Sequence, residues 1–330
     1  MKIGTRISPD WLERPEDLGF LKQIGVDCVD ITMPLVPGYR EAGGRLSREG
    51  LDQCLEVIEG AGLKIERINS LHDETLDTFL GREGSEAELD ALAHNAGLCG
   101  EYRLPVLGVQ CFQARQFDGR PPETVHWIEG RGGCRFFRND LTGALDCPVP
   151  EGAPTHEEIW ERTLKIFRTV VPIAESAGIK VAMHGNDPPV PRLWGVPQVL
   201  YDYDAFDRLF SEVPSPSNGM TFCVGTRYES GEDVFEGIRR FGGQGKIFHV
   251  HFRNVHGTIP QNRWYEERFP DDGDLAMAEV AKALSEVGYE GAIDYDHILK
   301  LSTDDEHGRQ YLAYCVGHMK GILEGLAAGS

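Results

Sequence analysis

The stretch IAESAGIKVAMHGNDPP, residues 173–189, contains the pattern that decides the fold. Its first part reads as the end of a helix, and Gly178 follows where a helix commonly stops in a left-handed backbone. The next segment, KVAMH (180–184), is short and apolar, which is typical of a buried parallel strand. This strand ends on His184, and the proline-rich loop after it is stiff.

The same pattern of a helix, a glycine turn and an apolar strand recurs along the chain, with similar turns at Gly25, Gly62 and Gly288. Eight βα units in a row predict an α/β fold, a (β/α)8 TIM barrel. The predicted strands are 2–7, 28–33, 64–69, 105–111, 180–184, 219–224, 247–253 and 292–297. The predicted helices are 15–24, 47–60, 85–99, 156–177, 202–212, 232–241, 274–287 and 307–327.

A doubly wound open sheet is the rival fold, but the glycine-rich phosphate motifs GxGxxG and GxxxxGK[ST] are both absent from the sequence. We therefore expect one TIM-barrel catalytic domain over residues 1–330. Two long insertions, about 113–153 and 254–273, follow the fourth and seventh strands. Both fall on the side where barrel active sites are built, and loops of this length often act as lids.

The formal net charge of −20 argues against nucleic acid as a partner, since phosphate binding needs clustered Lys and Arg, and it disfavours an anionic membrane surface. We see neither a secretory signal nor an apolar run long enough to span a bilayer. The eight cysteines form no Cys-x-x-Cys pair, which is typical of reduced thiols. The expectation is a cytoplasmic protein, a homo-oligomer, with a small-molecule substrate.

Four successive strands end in side chains that bind metals well: His184, Cys223, His251 and Asp296. Neighbouring strands lie roughly 5 Å apart, so one ion could reach all four. Each residue alone has a plainer explanation, such as a hydrogen-bonding histidine or a small core cysteine. Together they predict a divalent metal site; the alternative is a polar layer without an ion.

The seventh strand adds three residues that alternate and so share one face: His249, His251 and Arg253. We expect His249 deepest, His251 at the metal and Arg253 at the rim, where it could bind a carboxylate or simply face solvent. In the eighth strand Asp294 shares a face with Asp296, which makes it a candidate partner of the metal ligands.

The opposite wall of the cleft is expected to carry Arg6, Arg67 and Gln110, which end the first, third and fourth strands. The guanidinium groups would suit an anionic substrate.

The later half of the chain, roughly residues 180–300, resembles mannonate dehydratase, within the xylose isomerase-like barrel superfamily. The resemblance rests on the order and spacing of five pieces. These are HGNDPPVPR (184–192), NGMTFCVGT (218–226), HVHFRNV (249–255), DGDLAM (272–277) and DYDH (294–297).

The resemblance implies that His184, Cys223, His251 and Asp296 hold one divalent metal, with Mn²⁺ favoured by the family and Zn²⁺, Co²⁺ or Mg²⁺ as alternatives. Thiolate and imidazole ligands by themselves suit Zn²⁺. It also implies that His297 is a catalytic acid/base, and we expect Arg253 to act with it. The implied reaction is the loss of water from D-mannonate, or a close analogue, giving 2-dehydro-3-deoxy-D-gluconate.

Asp187 and Asn254 lie within the matching pieces and join Arg6 and Arg67 as expected substrate-binding residues. The chain departs from the family pattern in three places. Its loop reads His-Gly-Asn-Asp-Pro-Pro, where the family usually has His-Pro-Asp-Asp-Pro-Pro. The family histidine before the Gly-Asp pair is replaced by Pro270-Asp271. The family catalytic tyrosine has no clear equivalent, although Tyr311 and Tyr314 are candidates.

Two other functions compete with the dehydratase. A metal-dependent sugar isomerase or epimerase of the same superfamily commonly uses a strand-end Glu, and none of the fifth to eighth strands ends in Glu. A non-catalytic sugar-binding barrel would need neither His297 nor the metal quartet.

Overall fold

The computed structural model describes residues 1–118 and 124–329. Eight parallel strands close a barrel in the order β1-β8-β7-β6-β5-β4-β3-β2, so sequence neighbours are also neighbours in the barrel. This confirms the predicted (β/α)8 fold. The strands are β1 Lys2–Arg6, β2 Cys28–Thr32, β3 Lys64–Asn69, β4 Val106–Gln110, β5 Lys180–His184, β6 Asn218–Cys223, β7 Ile247–His251 and β8 Ala292–Asp294.

Helices surround the barrel, one after each strand. They are α1 Pro15–Ile24, α2 Arg48–Gly60, α3 Ser85–Glu101, α4 His156–Ala177, α5 Tyr203–Glu212, α6 Val234–Gly237 with a π-helical continuation over Ile238–Gly242, α7 Met277–Glu286 and α8 Arg309–Ala328. Shorter helices lie at Pro9–Leu12, Leu76–Leu80, Ala114–Asp118, Val224–Glu229 and Ile259–Asn262.

Local sequence signals explain where several of these helices begin and end. In α4, Thr155 and Glu158 form a reciprocal capping box, and the helix stops at Gly178 with φ 73°. Ser47 caps α2 by accepting from the Gly50 amide, and Asp202 caps α5 by accepting from the Ala205 amide. The helices pack on the strands through fully buried side chains such as Val29, Leu107, Val181, Phe222 and Val250.

The strand register determines which polar strand-end residues lie side by side in the barrel. Gln110 of β4 lies opposite His184 of β5, and Cys223 of β6 lies opposite His251 of β7. Because parallel strands in a barrel present their carboxyl ends to one face, these four side chains reach the same end of the molecule.

The two long insertions meet in one antiparallel sheet, here called the cap sheet. Its strands, in spatial order, are Asn254–His256, Trp264–Arg268, Arg135–Asp140 and Val125–Glu129. The first two follow β7 and the last two follow β4, so loops from strands that are not neighbours in the barrel pair directly. A second small hairpin joins Arg192–Leu193 to Val196–Pro197.

The last two barrel strands end at least two residues earlier than predicted. β7 stops at His251 and β8 stops at Asp294, so Arg253 and Asp296 lie beyond the regular strands. Asp296 has φ 62°, a left-handed backbone that breaks the alternation of a strand. The shared face predicted for Asp294 and Asp296 is therefore wrong.

Among the described residues, every helix is too short or too polar to cross a bilayer.

Candidate active site

A cavity of about 380 Å³ opens at the carboxyl ends of the barrel strands. Its wall is polar and is completed by the cap sheet through Val125, Phe137, Asn139 and Tyr265. Apart from β6, each barrel strand contributes a lining residue at or just after its end: Arg6, Thr32, Asn69, Gln110, His184, His251 and Asp296. This is the position where barrel enzymes place their active sites.

The structure brings three of the four predicted metal ligands into one cluster. The ligand atoms of His184, Cys223 and His251 all lie within 4.8 Å of one another, and all three side chains are buried. The fourth residue, Asp296, places its Oδ2 3.3 Å from His251 Nδ1. His251 Nδ1 has no hydrogen-bond partner, which is unusual for a buried nitrogen. This set of donors could hold a cation.

Burial controls the protonation of these donors. It lowers the pKa of His184 to about 4 and that of His251 to about 3, so both imidazoles are neutral near neutral pH. Burial raises the pKa of the Cys223 thiol to about 12. Metal ligands bind in their deprotonated forms, so a cation at this sulfur would displace the thiol proton.

A second group of donors lies below the first. His249, His251 and Asp294 also have ligand atoms within 4.8 Å of one another. His249 Nε2 is 2.8 Å from Asp294 Oδ2, and neither residue lines the cavity. As expected, His249 lies deeper than His251; the hydrogen-bond partner of Asp294 is His249.

His297 reaches the cavity because the chain turns after β8. Its amide donates to the carbonyl of Tyr295 at 2.8 Å, directly after the left-handed Asp296. The half-buried imidazole places Nδ1 2.9 Å from Glu267 Oε1 and Nε2 3.3 Å from Asp296 Oδ2. Burial lowers the pKa of His297, but the carboxylates of Asp296 and Glu267 raise it by more, to about 9.

Arg253 does not lie at the rim, so that part of its prediction is wrong. Its side chain is 2% exposed. Its Nε donates to Cys223 Sγ at 3.2 Å, and its terminal nitrogens donate to Glu229, Glu267, Asp187 and Thr226. The strand ends before Arg253, and the guanidinium turns inward to these carboxylates. Because Cys223 and these other side chains take up its donors, Arg253 does not line the cavity.

Two of the four predicted substrate-binding residues are also enclosed in the protein. Arg67 is fully buried, pairs with Asp30 and donates to His251 Nε2 at 2.9 Å. Asn254 donates to the carbonyls of Pro270 and Leu275, which fixes the loop after the cap sheet. Neither residue lines the cavity, so the expectation that Arg67 forms part of its wall is wrong.

The other two predicted substrate-binding residues do line the cavity. Arg6 is partly exposed there and its Nη2 lies 3.3 Å from Asp296 Oδ1. Asp187, which precedes a cis proline, accepts from Arg253 at 2.8 Å. Gln110 also lines the cavity, on the wall where it was expected.

The pattern of strand ends does not reveal the contribution of the cap sheet. Tyr265 lines the cavity, donates to Asp187 Oδ1 at 3.0 Å and accepts from Asn139 Nδ2 at 2.9 Å. Tyr311 and Tyr314, the candidates for the missing tyrosine, do not line it. The two aromatic residues of WYEER (264–268) favour a strand, and alternate residues of a strand share a face, so this segment could have placed Tyr265 and Glu267 together.

Comparison with solved structures supports the fold. A mannonate dehydratase from Streptococcus suis serotype 2 matches with a TM-score of 0.82 and 23% identity, covering 100% of this chain and 95% of that one. A D-tagatose 3-epimerase-like protein matches more distantly, with a TM-score of 0.65 and 15% identity over 100% of this chain and 99% of its own. At these identities the likeness concerns the fold alone.

Sequence relatives are more specific. "Mannonate dehydratase 2" of Halalkalibacterium halodurans is 32% identical over 144 residues, which is 43% of this chain and 41% of that protein. The matched stretch thus spans about two fifths of that relative's length. A mannonate dehydratase of Streptococcus uberis is 28% identical over 279 residues, 76% of this chain and 77% of its own. The family model of D-mannonate dehydratase (UxuA) matches residues 154–328, just over half of the chain. By this match, the chain belongs to the D-mannonate dehydratase family.

Proposed function

We propose that the chain is a single catalytic domain that removes water from D-mannonate to give 2-dehydro-3-deoxy-D-gluconate. The observation that carries this proposal is the cluster of His184, Cys223 and His251 beside His297 at one polar cavity, in a chain of this family.

The reaction breaks one bond at each of two adjacent carbons of the substrate, C2 and C3. The C2–H bond breaks: its proton passes to a base at the cavity, and its electron pair forms a C2–C3 double bond. The C3–O bond breaks with its electron pair and the oxygen leaves as water after taking a proton. The resulting enol then becomes the 2-keto acid, with a proton added at C3.

We propose that His184, Cys223, His251 and Asp296 hold one divalent cation. The two neutral imidazoles, the nearby thiol and the adjacent Asp296 carboxylate are donors that fit such a group. The family resemblance favours Mn²⁺, whereas sulfur and imidazole donors also suit Zn²⁺. When bound, the cation would polarise the substrate and stabilise the negative charge that grows as the C2 proton leaves.

The chain's own residues would bind the substrate and move protons. His297, half-buried at the cavity, is placed to protonate the departing C3 oxygen through Nε2, while Nδ1 stays on Glu267. Arg6 would pair with the substrate carboxylate. Thr32, Asn69 and Gln110 would hydrogen-bond its hydroxyl groups, because hydroxyl and amide side chains both donate and accept.

Isomerisation or epimerisation is the alternative reaction at such a site. In the described part of the chain, the two clusters able to hold a metal contain His, Cys and Asp but no Glu. Enzymes of this superfamily that move protons along a sugar commonly use a strand-end Glu, so the donor set favours the dehydratase.

The test is an assay for 2-keto-3-deoxy acids over a panel of aldonates, with protein purified without chelator and then supplied with Mn²⁺ or Zn²⁺. We expect D-mannonate to give product and about one equivalent of bound metal. A C2 or C3 epimer without keto acid would identify an epimerase instead. Full activity in excess chelator would contradict the metal site.

A further inference from the structure

Glu267 connects the cap sheet to His297. It lies on the strand Trp264–Arg268 and is almost fully buried. Its Oε1 accepts from Arg253 Nη1 at 2.6 Å and lies 2.9 Å from His297 Nδ1. Glu267 Oε1 thus contacts both Arg253, which donates to Cys223, and His297, which lines the cavity.

This contact determines which nitrogen of His297 is available for chemistry. An ionised carboxylate has only acceptor atoms, so Nδ1 must be the donor in its hydrogen bond with Glu267. Nε2 is then the nitrogen left towards Asp296 and the cavity. A histidine held from behind by a carboxylate has a fixed ring orientation, and that arrangement recurs in acid/base catalysis.

The ion pair with Arg253 does not by itself explain why Glu267 lies beside His297. The Arg253 guanidinium is also paired with Glu229, which is fully buried, and with Asp187, so it does not depend on Glu267 alone for its charge partner. Among the hydrogen bonds and ion pairs of Glu267 in the described part of the chain, the contact with His297 is the one that reaches a cavity-lining residue. The same strand face carries Tyr265, which holds Asp187, so this cap strand orients polar groups on both sides of the cavity.

We infer that Glu267 is a positioning residue: it holds His297 through Nδ1 so that Nε2 points at the substrate. The inference rests on the proposed dehydratase function for its kinetic consequence, while the hydrogen bond itself can be measured separately.

The neighbouring Glu266 provides a matched control. It lies on the same strand and is equally buried, but it points to the other face, where it pairs with Arg138 and Arg268. Glu267→Gln keeps the shape of the side chain but removes its charge and can turn an amide donor towards Nδ1. Glu266→Gln makes the same change without touching His297.

For Glu267→Gln we expect kcat for D-mannonate to fall about 10²-fold, the usual weight of an acid/base group, with KM changed less than threefold and metal content unchanged. Glu267→Asp keeps the charge and should recover part of the loss. Glu266→Gln should keep kcat within about threefold of the unaltered protein, whatever its effect on thermal stability. Equal kcat values for Glu267→Gln and Glu266→Gln would overturn the inference.

A second readout does not depend on turnover. In protein loaded with diamagnetic Zn²⁺, the His297 Nδ1 proton should give a downfield NMR signal that is lost in His297→Asn, weakened or shifted upfield in Glu267→Gln and kept in Glu266→Gln. A signal unchanged by Glu267→Gln overturns the inference at any level of activity. If the unaltered protein dehydrates no aldonate, the proposed function fails, and this signal alone decides the role of Glu267.

Discussion

The two halves of the barrel end in different kinds of side chain. Strands β1 to β4 present Arg6, Thr32, Asn69 and Gln110 to the cavity, which are groups that bind hydroxyls and carboxylates. Strands β5 to β8 end at or near His184, Cys223, His251 and Asp296, which are groups that bind metals. The family model matches residues 154–328, which contain the second set and not the first.

This difference indicates that the two halves of the barrel have different roles at one cavity. The second half would carry the steps that every substrate of the family shares, namely charge stabilisation and proton transfer. The first half would recognise the particular arrangement of hydroxyl groups. Substitutions in the second half should therefore act on kcat, and substitutions in the first half on KM.

The largest effect should come from His184→Ala, compared with Asp294→Asn. His184 belongs only to the cluster with Cys223 and His251, here called the upper cluster, and Asp294 only to the cluster with His249 and His251, here called the lower cluster. If the upper cluster holds the metal, His184→Ala should lose bound metal and lower kcat/KM by roughly 10³-fold or more. The reason is that a bound cation contributes several kcal/mol of stabilisation to the charge in the transition state. Asp294→Asn should keep its metal. Elemental analysis and kinetics check both, and the reverse result would move the site to the lower cluster.

The next effect should come from His297→Asn, which we expect to lower kcat by roughly 10²-fold while the metal stays bound. His256→Asn is the control, since His256 pairs with Asp274 outside the cavity. Steady-state kinetics and metal analysis make the comparison. Loss of metal in His297→Asn would show that this histidine is a ligand, and the division between ligands and proton carriers would need revision.

A smaller effect is expected in the first half. Gln110→Ala removes an amide that lines the cavity, and one hydrogen bond is worth about 1 kcal/mol. We expect KM for D-mannonate to rise roughly tenfold or less, with kcat nearly unchanged. A fall in kcat at constant KM would contradict the proposed division, because it would place Gln110 among the groups that act in the transition state.

The smallest effects concern the scaffold, where the two halves should behave alike. Ser47→Ala removes the N-cap of α2 and Asp202→Ala removes that of α5. Each should lower the free energy of unfolding by about 1 kcal/mol, measured as a lower urea midpoint, and leave kcat unchanged. A large loss of activity in either variant would show that the scaffold and the site are not separable.

Most of the barrel could be predicted from the sequence because its signals are local. Apolar runs of strand length, helical periodicity and glycines such as Gly25 and Gly178 mark each unit, and both glycines adopt the left-handed backbone expected after a helix. The cluster of His184, Cys223 and His251 followed from the strand ends alone, because a barrel brings all strand ends to one face.

The errors arose where distant parts of the chain decide the geometry. The strand pattern predicts Arg253 at the rim, because it does not reveal the partners Glu229 and Glu267 on other elements. It also predicts Asp296 within a strand, whereas the left-handed backbone of this residue turns His297 over the cavity. The sequence predicts only two separate loops where the cap sheet lies, although Tyr265 pairs with Asn139 from the other insertion.

The cap sheet also bears on how the protein can be made and remodelled. Strand Trp264–Arg268 sits between Asn254–His256 and Arg135–Asp140, so Arg135–Asp140 lacks its second pairing partner until the ribosome has released residue 268. Such long-range pairing pays its loop-closure entropy late in folding. The wall that carries Tyr265 and Glu267 is thus among the last parts to assemble. An engineer who wishes to transplant the substrate pocket must move both insertions together, because each supplies half of one sheet.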